Sequence, residues 1–469
     1  QCTSGMCVAN AHLMLVSLNL NDTPVGYQPQ VGPSALIRLS YNHKETGQPA
    51  TFNYSNVGQK WTHNFLSFIQ DDPVAGNEGL AVMRAVGGGG FVTYAGYNSG
   101  SFAQEAQSSA VLTRIPATGA VTSYQLAFPD GSKHVFAKLD SASTYPRRVF
   151  LTQIIDPAGN TLTMNYDASL RLTSLTDAAA RTTTFAYANA NPLLITKITD
   201  PFGRFATLAY DGTGRLTSIT DVLGIVSSFV YSTVDPTFIT TLVTPYGNSS
   251  FSYGEDTGWH VNKWLELTDP LGNVERLKYM PSNSNIPDTP AAVPTGLAVT
   301  NGSFDSYNLF VWDAHAYTLG ITKSGGIITN EDYSKARMWH WLLDSNGKIS
   351  SVPAATKAAS ENYVFYNYPN QPTPHKEGTL SLPSAAGRVL DDGSTQLSQA
   401  TYNATGKPLT VTDPMGRMKQ LTYAANNIDP LTVQQKVSAT PTYDTLGTYS
   451  NYNAQHRPAT YTDAAGQVW

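Results

Sequence analysis

Trp339-His340-Trp341 is the cluster in this 469-residue sequence best equipped for chemistry, because two indoles around an imidazole could stack on a sugar ring or help hold a metal. On a strand, however, alternate side chains fall on opposite faces. The two tryptophans then share one face as packing residues and His340 lies on the other. The remaining histidines, at 12, 43, 63, 134, 260, 315, 375 and 456, are scattered, with no His-x-His or His-Glu-x-x-His spacing. A metal site is not expected. Cys2 and Cys7 are the only cysteines. They could close a small terminal loop as a disulfide in an oxidising compartment, or stand as free thiols or the remnant of a lipid attachment, and they fall short of a structural zinc site.

Carboxylates recur in a fixed setting, Asp-Pro-x-Gly, at Asp156 to Gly159, Asp200 to Gly203, Asp269 to Gly272 and Asp413 to Gly416. Acidic repeat turns bind calcium in some β-helices, but one Asp per turn falls far short of the roughly six to eight oxygens that calcium wants. Turn capping is the expected role. Asp71-Asp72 and Asp391-Asp392 are adjacent pairs whose side chains point apart on a strand, and carboxylates for glycoside hydrolysis leave no spacing to recognise, since they can come from distant strands. The Gly87 to Gly90 run lacks the Lys and Ser/Thr that a phosphate loop needs after it, and Phe91-Val92-Thr93-Tyr94 reads as a strand. There is no Gly-x-Ser-x-Gly elbow. The expectation is a chain without catalytic residues and without a cofactor.

The composition says what elements must hold these residues. Charged residues are 13% of the chain, about half the usual share of roughly 25%. Gly (37), Pro (28) and Tyr (26) are abundant, a vocabulary of pleated strands and the turns that join them. An all-β chain is expected. A net charge of -5 with dispersed Lys and Arg gives no basic face for a phosphate backbone, so nucleic acid is not an expected partner. No apolar run of about 18 residues is present to span a bilayer as a helix. Residues 8 to 20 have the apolar character of an export signal, but no positively charged segment precedes them, and they read as mature structure.

Internal repetition dominates the sequence. Tyr210-Asp211-Gly212-Thr213-Gly214-Arg215-Leu216-Thr217-Ser218-Ile219-Thr220-Asp221-Val222-Leu223-Gly224 is the clearest unit, and Tyr166-Asp167 leads through Arg171-Leu172-Thr173 to Thr176-Asp177 in the same way. Tyrosines at 166, 187, 210, 231, 253 and 279 are spaced 21, 23, 21, 22 and 26 residues apart. Each unit has two chain reversals, an Asp-x-x-Gly after the Tyr and an Asp-Pro-x-Gly after the Leu-Thr-x-Ile-Thr run, which leaves two strands. One repeat is thus one β-hairpin. Leu216 and Ile219 differ in parity, which a bulge would reconcile. A lone hairpin is at best marginally stable, so successive hairpins should pair edge to edge into one long, twisted, curved sheet.

The unit Tyr-Asp-x-x-Gly-Arg-Leu-Thr-x-Ile-Thr-Asp-Pro-x-Gly resembles the signature of the RHS/YD-repeat family. The portion before the repeats, with Asp22 to Tyr27, Val31-Gly32-Pro33, Tyr54-Ser55-Asn56 and Lys60-Trp61-Thr62, is also similar to the region that precedes them in large bacterial members. The resemblance implies a spiral of hairpins wound into a hollow shell, as in polymorphic toxins, wall-associated proteins, insecticidal Tc toxin cocoons and teneurins. It also implies a cargo, commonly a toxic C-terminal segment. The family's C-terminal core, with its aspartate-based self-cleavage site, has no counterpart before Trp469, so no self-cleavage and a piece of a longer product are expected.

The expected organisation is an N-terminal β region over 1–145, regular repeats over 146–279, diverged repeats with long loops over 280–376, and resumed repeats over 377–469. The interruption opens on a proline-rich loop at Pro281 to Pro294 and contains Asp344-Ser345-Asn346-Gly347, a hairpin signal. The expected function is a non-enzymatic shell segment of a secreted or surface-exposed bacterial protein. Its expected partners are the rest of the same polypeptide, an enclosed cargo, and other copies through unpaired sheet edges. A cell-surface adhesin or saccharide binder, using exposed Tyr and Trp, is the alternative.

Overall fold

Turn residues partition this chain into short extended segments, and the computed structural model describes residues 6–255, 262–282, 292–300, 304, 306–437 and 442–469. Those segments are strands. Among the described residues the only α-helix is Ala314–Gly320. The chain divides into two compact units, the first built from Gln1–Glu105, Ala110–Phe251 and Asp269–Leu271, the second from Ala106–Ser109, Ser252–Thr268 and Gly272–Trp469.

In the first unit, Val8–His12, Ser17–Val25, Ile37–Asn42 and Trp61–His63 form a four-stranded antiparallel sheet in chain order. A second sheet holds the repeats, each strand from Arg147–Ile155 through Gly247–Glu255 pairing antiparallel with the next. Arg147–Ile155 also pairs with Lys133–Leu139 and, near its start, with Phe68–Asp71, so part of the region ahead of the repeats is already built into their sheet.

The two sheets pack face to face. Leu18, Leu20, Ile37, Leu39 and Trp61 from one, and Ile198, Leu208, Leu216, Ile219 and Phe229 from the other, are buried, each contributing roughly 1.5–3 kcal/mol by leaving water. Trp61 lies against Phe229 with ring centroids 4.7 Å apart and donates from Nε1 to the Tyr231 hydroxyl at 3.1 Å. Tyr41 donates its hydroxyl to Thr237 O at 2.7 Å and accepts from Ile239 N at 3.2 Å. Asn56 adds a backbone stitch, its N–H donating to Leu193 O and its carbonyl accepting from Ile195 N. Gly26 lets strand Ser17–Val25 end tightly. Its φ is +138°, and a Cβ there would stand 2.6 Å from Ala35 O.

The parity conflict in the repeat is resolved by a bulge. Ala209 pairs with Ser218 but Tyr210 pairs with Leu216, so Thr217 is the extra residue and Leu216 and Ile219 both turn inward. The same shift places Thr173 and Thr240 at bulges in the neighbouring hairpins. Each threonine hydroxyl bonds back across the bulge, Thr173 to Asn165 O, Thr217 to Ala209 O and Thr240 to Val230 O, at 3.1, 3.1 and 3.2 Å.

The second unit continues by the same rule, each described neighbour from Lys263–Thr268 to Pro458–Asp463 pairing antiparallel. Between Ser306–Trp312 and Arg337–Leu343 it takes an insertion, the helix Ala314–Gly320 and a hairpin of Ile321–Ser324 with Ile327–Glu331. Asp313 caps the helix by accepting from Ala316 N at 2.9 Å. Arg276, on strand Val274–Ser282, donates from Nε to Glu331 Oε1 at 3.0 Å and from Nη1 to Glu266 Oε1 at 3.1 Å. Lys323 reaches Glu266 Oε2 at 3.1 Å, so the inserted hairpin is tied to the sheet by charge. At the last strand, Tyr461 N donates to Trp469 O and Trp469 N to Tyr461 O, at 3.0 and 2.8 Å.

Candidate functional site

The recurring chemistry lies in the turns. In Asp211 to Arg215 the Asp211 N–H donates to Arg215 O and the Gly214 N–H to Asp211 O, each at 3.0 Å. This is a type I turn closed by a left-handed residue, and Gly214, at φ +83°, supplies it. Asp211 Oδ1 accepts from Thr213 N at 2.9 Å and Arg215 N at 3.0 Å, while Oδ2 takes Arg215 Nε at 2.7 Å. Burial alone would raise the Asp211 carboxyl, but these hydrogen bonds from Thr213 and Arg215 outweigh it and bring it down to about 2.

Asp167, Asp177, Asp200 and Asp413 repeat this arrangement with Arg171, Arg181, Arg204 and Arg417, their Oδ2 to Nε distances running from 2.6 to 2.8 Å. Asp156 substitutes Asn160 for the arginine, and Asp269 accepts from Leu271 N at 2.8 Å. Gly159, Gly203, Gly272 and Gly416 occupy the same left-handed position, at φ between +78° and +87°. Asp344 to Lys348 makes the same turn inside the diverged stretch. Leu170, Ala180 and His456 take the left-handed place without glycine. For Leu170 the strain is offset by packing beside Tyr54, Phe68 and Phe150.

The tyrosine of the signature has a different task. Tyr166, Tyr187, Tyr210 and Tyr231 donate their hydroxyls to the carbonyls of Leu151, Leu172, Ile195 and Leu216, at 2.9, 2.8, 2.6 and 2.8 Å. In every case the acceptor lies 15 residues earlier, where the preceding hairpin supplies it. Tyr368 and Tyr423 do the same to Pro353 and Pro408, also across 15 residues, and Tyr402 and Tyr452 to Pro383 and Pro430 across 19 and 22. Burial pushes these phenols up, Tyr187 to about 12. They act as fixed donors. The sequence reading assigned neither the ladder nor the bulge threonines, although a Leu or Ile stands 15 residues before each of Tyr166, Tyr187, Tyr210 and Tyr231.

Trp339-His340-Trp341 does not alternate simply, because a register shift falls between His340 and Trp341. His340 and Trp341 are therefore both buried, while Trp339 is half-buried. His340 stacks on Phe304 with centroids 4.5 Å apart, and its Nδ1 lies 3.0 Å from Asn308 Oδ1. These are packing contacts. The Gly87–Gly90 run caps the strand pair Val82–Ala85 and Phe91–Tyr94, and the Gly90 N–H, which a phosphate loop would offer to an anion, donates to Glu45 Oε2 at 2.8 Å. A cavity of about 530 Å³ beside it is lined by His12, Lys44, Glu45, Gln70 and Phe91 among others. Cys7 is buried, its N–H donating to Ser227 Oγ at 3.2 Å. Cys2 and His260 lie outside the described residues, as does most of the loop from Pro281 to Pro294. Among the described residues no group of three or more His, Cys, Asp or Glu side chains is placed to hold a metal ion, and no helix is long and apolar enough to cross a membrane.

Residues 193–226 match the family model of the RHS repeat, a span that contains the Asp200, Asp211 and Asp221 turns and the Tyr210 rung. No curated protein matches the chain. Among solved structures the chain is similar to TcdB2-TccC3, at 9% identity over 95% of this chain and 32% of that one, with a TM-score of 0.26. It is also similar to TcdB2-TccC3-Cdc42, at 8% identity over 95% and 34%, TM-score 0.25, and to the Photorhabdus luminescens Tc holotoxin pore, at 9% over 95% and 33%, TM-score 0.23. The chain spans about a third of the length of these relatives. Residues 193–226 are thus an RHS repeat, and the same Asp-capped turns and tyrosine rungs recur on either side of it.

Proposed function

We propose that this chain is a wall segment of a secreted, bacterial RHS shell, non-catalytic, whose uncovered sheet face borders a cargo carried by the same polypeptide. The observation that carries this reading is a difference between equivalent positions. In the first unit the inward register positions Leu208, Ile219, Ser227 and Phe229 lie buried beneath the N-terminal sheet. In the second, the positions equivalent by distance from the turn aspartate are Ala400, Val411, Lys419 and Leu421, and none of them is buried. Ile219 is 1% exposed and Val411 40%. A sheet face that leaves Val411 and Leu421 at least partly open beside Lys419 suits apposition to a second surface better than a dry core. Turns held by local hydrogen bonds and hairpins fastened by tyrosines give that wall rigidity.

The test places a photo-crosslinking amino acid at Val411 or Lys419 in the secreted, full-length product and identifies the captured peptide by mass spectrometry. Capture of a segment of the same polypeptide supports the reading. Absence of capture at both positions, with capture at the solvent-exposed turn residue Met415, would overturn it. A glycan array on the same protein separates the adhesin, which requires saturable saccharide binding.

A further inference from the structure

One repeat turn departs from the others at the place where the N-terminal sheet meets it. Asp221 caps its turn as usual, Oδ1 accepting from Leu223 N and Ile225 N at 2.8 Å each. In five other turns the residue four places after the aspartate is an arginine that takes Oδ2. Here it is Ile225, and Oδ2 of Asp221 is enclosed without accepting a hydrogen bond. The Val222 N–H donates to Pro24 O at 3.1 Å, which brings this turn against the end of strand Ser17–Val25. That strand carries Asp22, which is also buried and whose Oδ1 likewise accepts nothing.

Asp22 is an enclosed carboxyl with an open oxygen, on an element that faces a second aspartate, so ionising it there is costly. We propose that Asp22, enclosed against the Asp221 turn, docks as a neutral carboxyl, a clasp that couples docking of the N-terminal sheet on the repeat sheet to pH. Burial first, and the Asp221 charge second, push the Asp22 carboxyl up to about 7. The titratable groups set against it are Asp221, from the repeat turn, and Cys7, from the segment before Val8–His12, whose thiol burial and then the Asp22 charge push upward.

A carboxyl whose docked value is raised holds the docked state most firmly below its ordinary range, and that hold is lost as pH rises through the docked value. Between about pH 5 and pH 8 the Asp22 contribution to docking should weaken about a hundredfold. His43 and His63, on the same sheet, titrate in the opposite sense. Their effect cancels in a ratio of wild type to an Asp22 variant.

The experiment measures hydrogen exchange of strand Ser17–Val25, corrected for intrinsic rates, in the whole chain and in Asp22→Asn and Asp221→Asn. Asparagine caps this turn type at Asn403 and Asn453, so Asp221→Asn preserves the local fold. The wild-type to Asp22→Asn protection ratio should fall about a hundredfold across the range, and the slope should flatten in Asp221→Asn. Difference infrared spectra should show a protonated carboxyl at pH 6 that is lost by about pH 9 and is missing in Asp22→Asn. A ratio that stays level, or a band that persists in Asp22→Asn, would overturn the proposal.

Discussion

Tyr210→Phe isolates one rung of the tyrosine ladder. The Tyr210 hydroxyl donates to Ile195 O at 2.6 Å, and Ile195 is fully buried. The change removes a neutral hydrogen bond worth about 1 kcal/mol net and leaves an acceptor that water cannot reach, for a penalty of about 1–3 kcal/mol. A central expectation of about 2 kcal/mol corresponds to roughly a thirtyfold loss of protection against hydrogen exchange. The loss should concentrate in Lys197–Thr199, Phe205–Tyr210 and Leu216–Thr220, the strands that this rung joins. Tyr246→Phe serves as the control, since Tyr246 is 70% exposed at a turn and should change protection by less than about twofold. If the two variants were indistinguishable, the tyrosine would be a packing residue only, and the fastening of one hairpin to the next would have to come from backbone pairing alone.

Arg147→Ala strips the buried Asp71 carboxylate of two hydrogen bonds, from Nε at 2.9 Å and Nη2 at 2.5 Å, leaving it with Tyr124, and should cost about 3–5 kcal/mol, read as lost protection in strand Phe68–Asp71. Gly26→Ala adds a Cβ 2.6 Å from Ala35 O at a left-handed φ and should lower the melting temperature by several degrees, whereas Gly224→Ala, with open space around it, should lower it less. His63 is wholly buried and burial pushes its imidazole down to about 4. Its stabilising contribution is complete above the unfolded value near 6.5 and is lost as pH falls toward 4, a change of up to about 3 kcal/mol. Acid sensitivity of thermal unfolding should therefore shrink in His63→Leu, and an unchanged slope would show that another group controls it.

What the sequence could show was whatever is encoded by neighbours along the chain. Asp-x-x-Gly-Arg is a local motif, every bond of its turn falling within five residues, so its geometry followed from residue types alone. The bulge at Thr217 was legible as a parity conflict between Leu216 and Ile219, because a period of two tolerates no silent insertion. The helix Ala314–Gly320 was missed, being a seven-residue segment behind an Asp cap, too short for a helical period to stand out against β-rich surroundings. The layer formed by the N-terminal sheet was missed for a different reason. Its contacts with the repeats span about 120 to 220 residues, from Ser55 with Leu172 to Cys7 with Ser227, and no periodicity records them.

That distinction bears on the carboxyl pair. A repeat tolerates substitution wherever its local chemistry is redundant, and with arginine on five equivalent turns but Asn160, Lys348 and Gln467 on others, Ile225 looks like drift. Where the carboxylate is partly exposed, as at Asp167, Asp211 and Asp413, such a pair contributes little, and losing one there would go unnoticed. At Asp221 the turn is roofed by strand Ser17–Val25, and the strand supplies a second acid rather than a cation. The missing arginine thus acquires a consequence only through a contact about two hundred residues away in sequence. If Asp22→Asn stabilises the docked sheet at alkaline pH and is neutral in acid, the departure at Ile225 is a feature of the interface; if the variant is equally tolerated at every pH, it is drift after all.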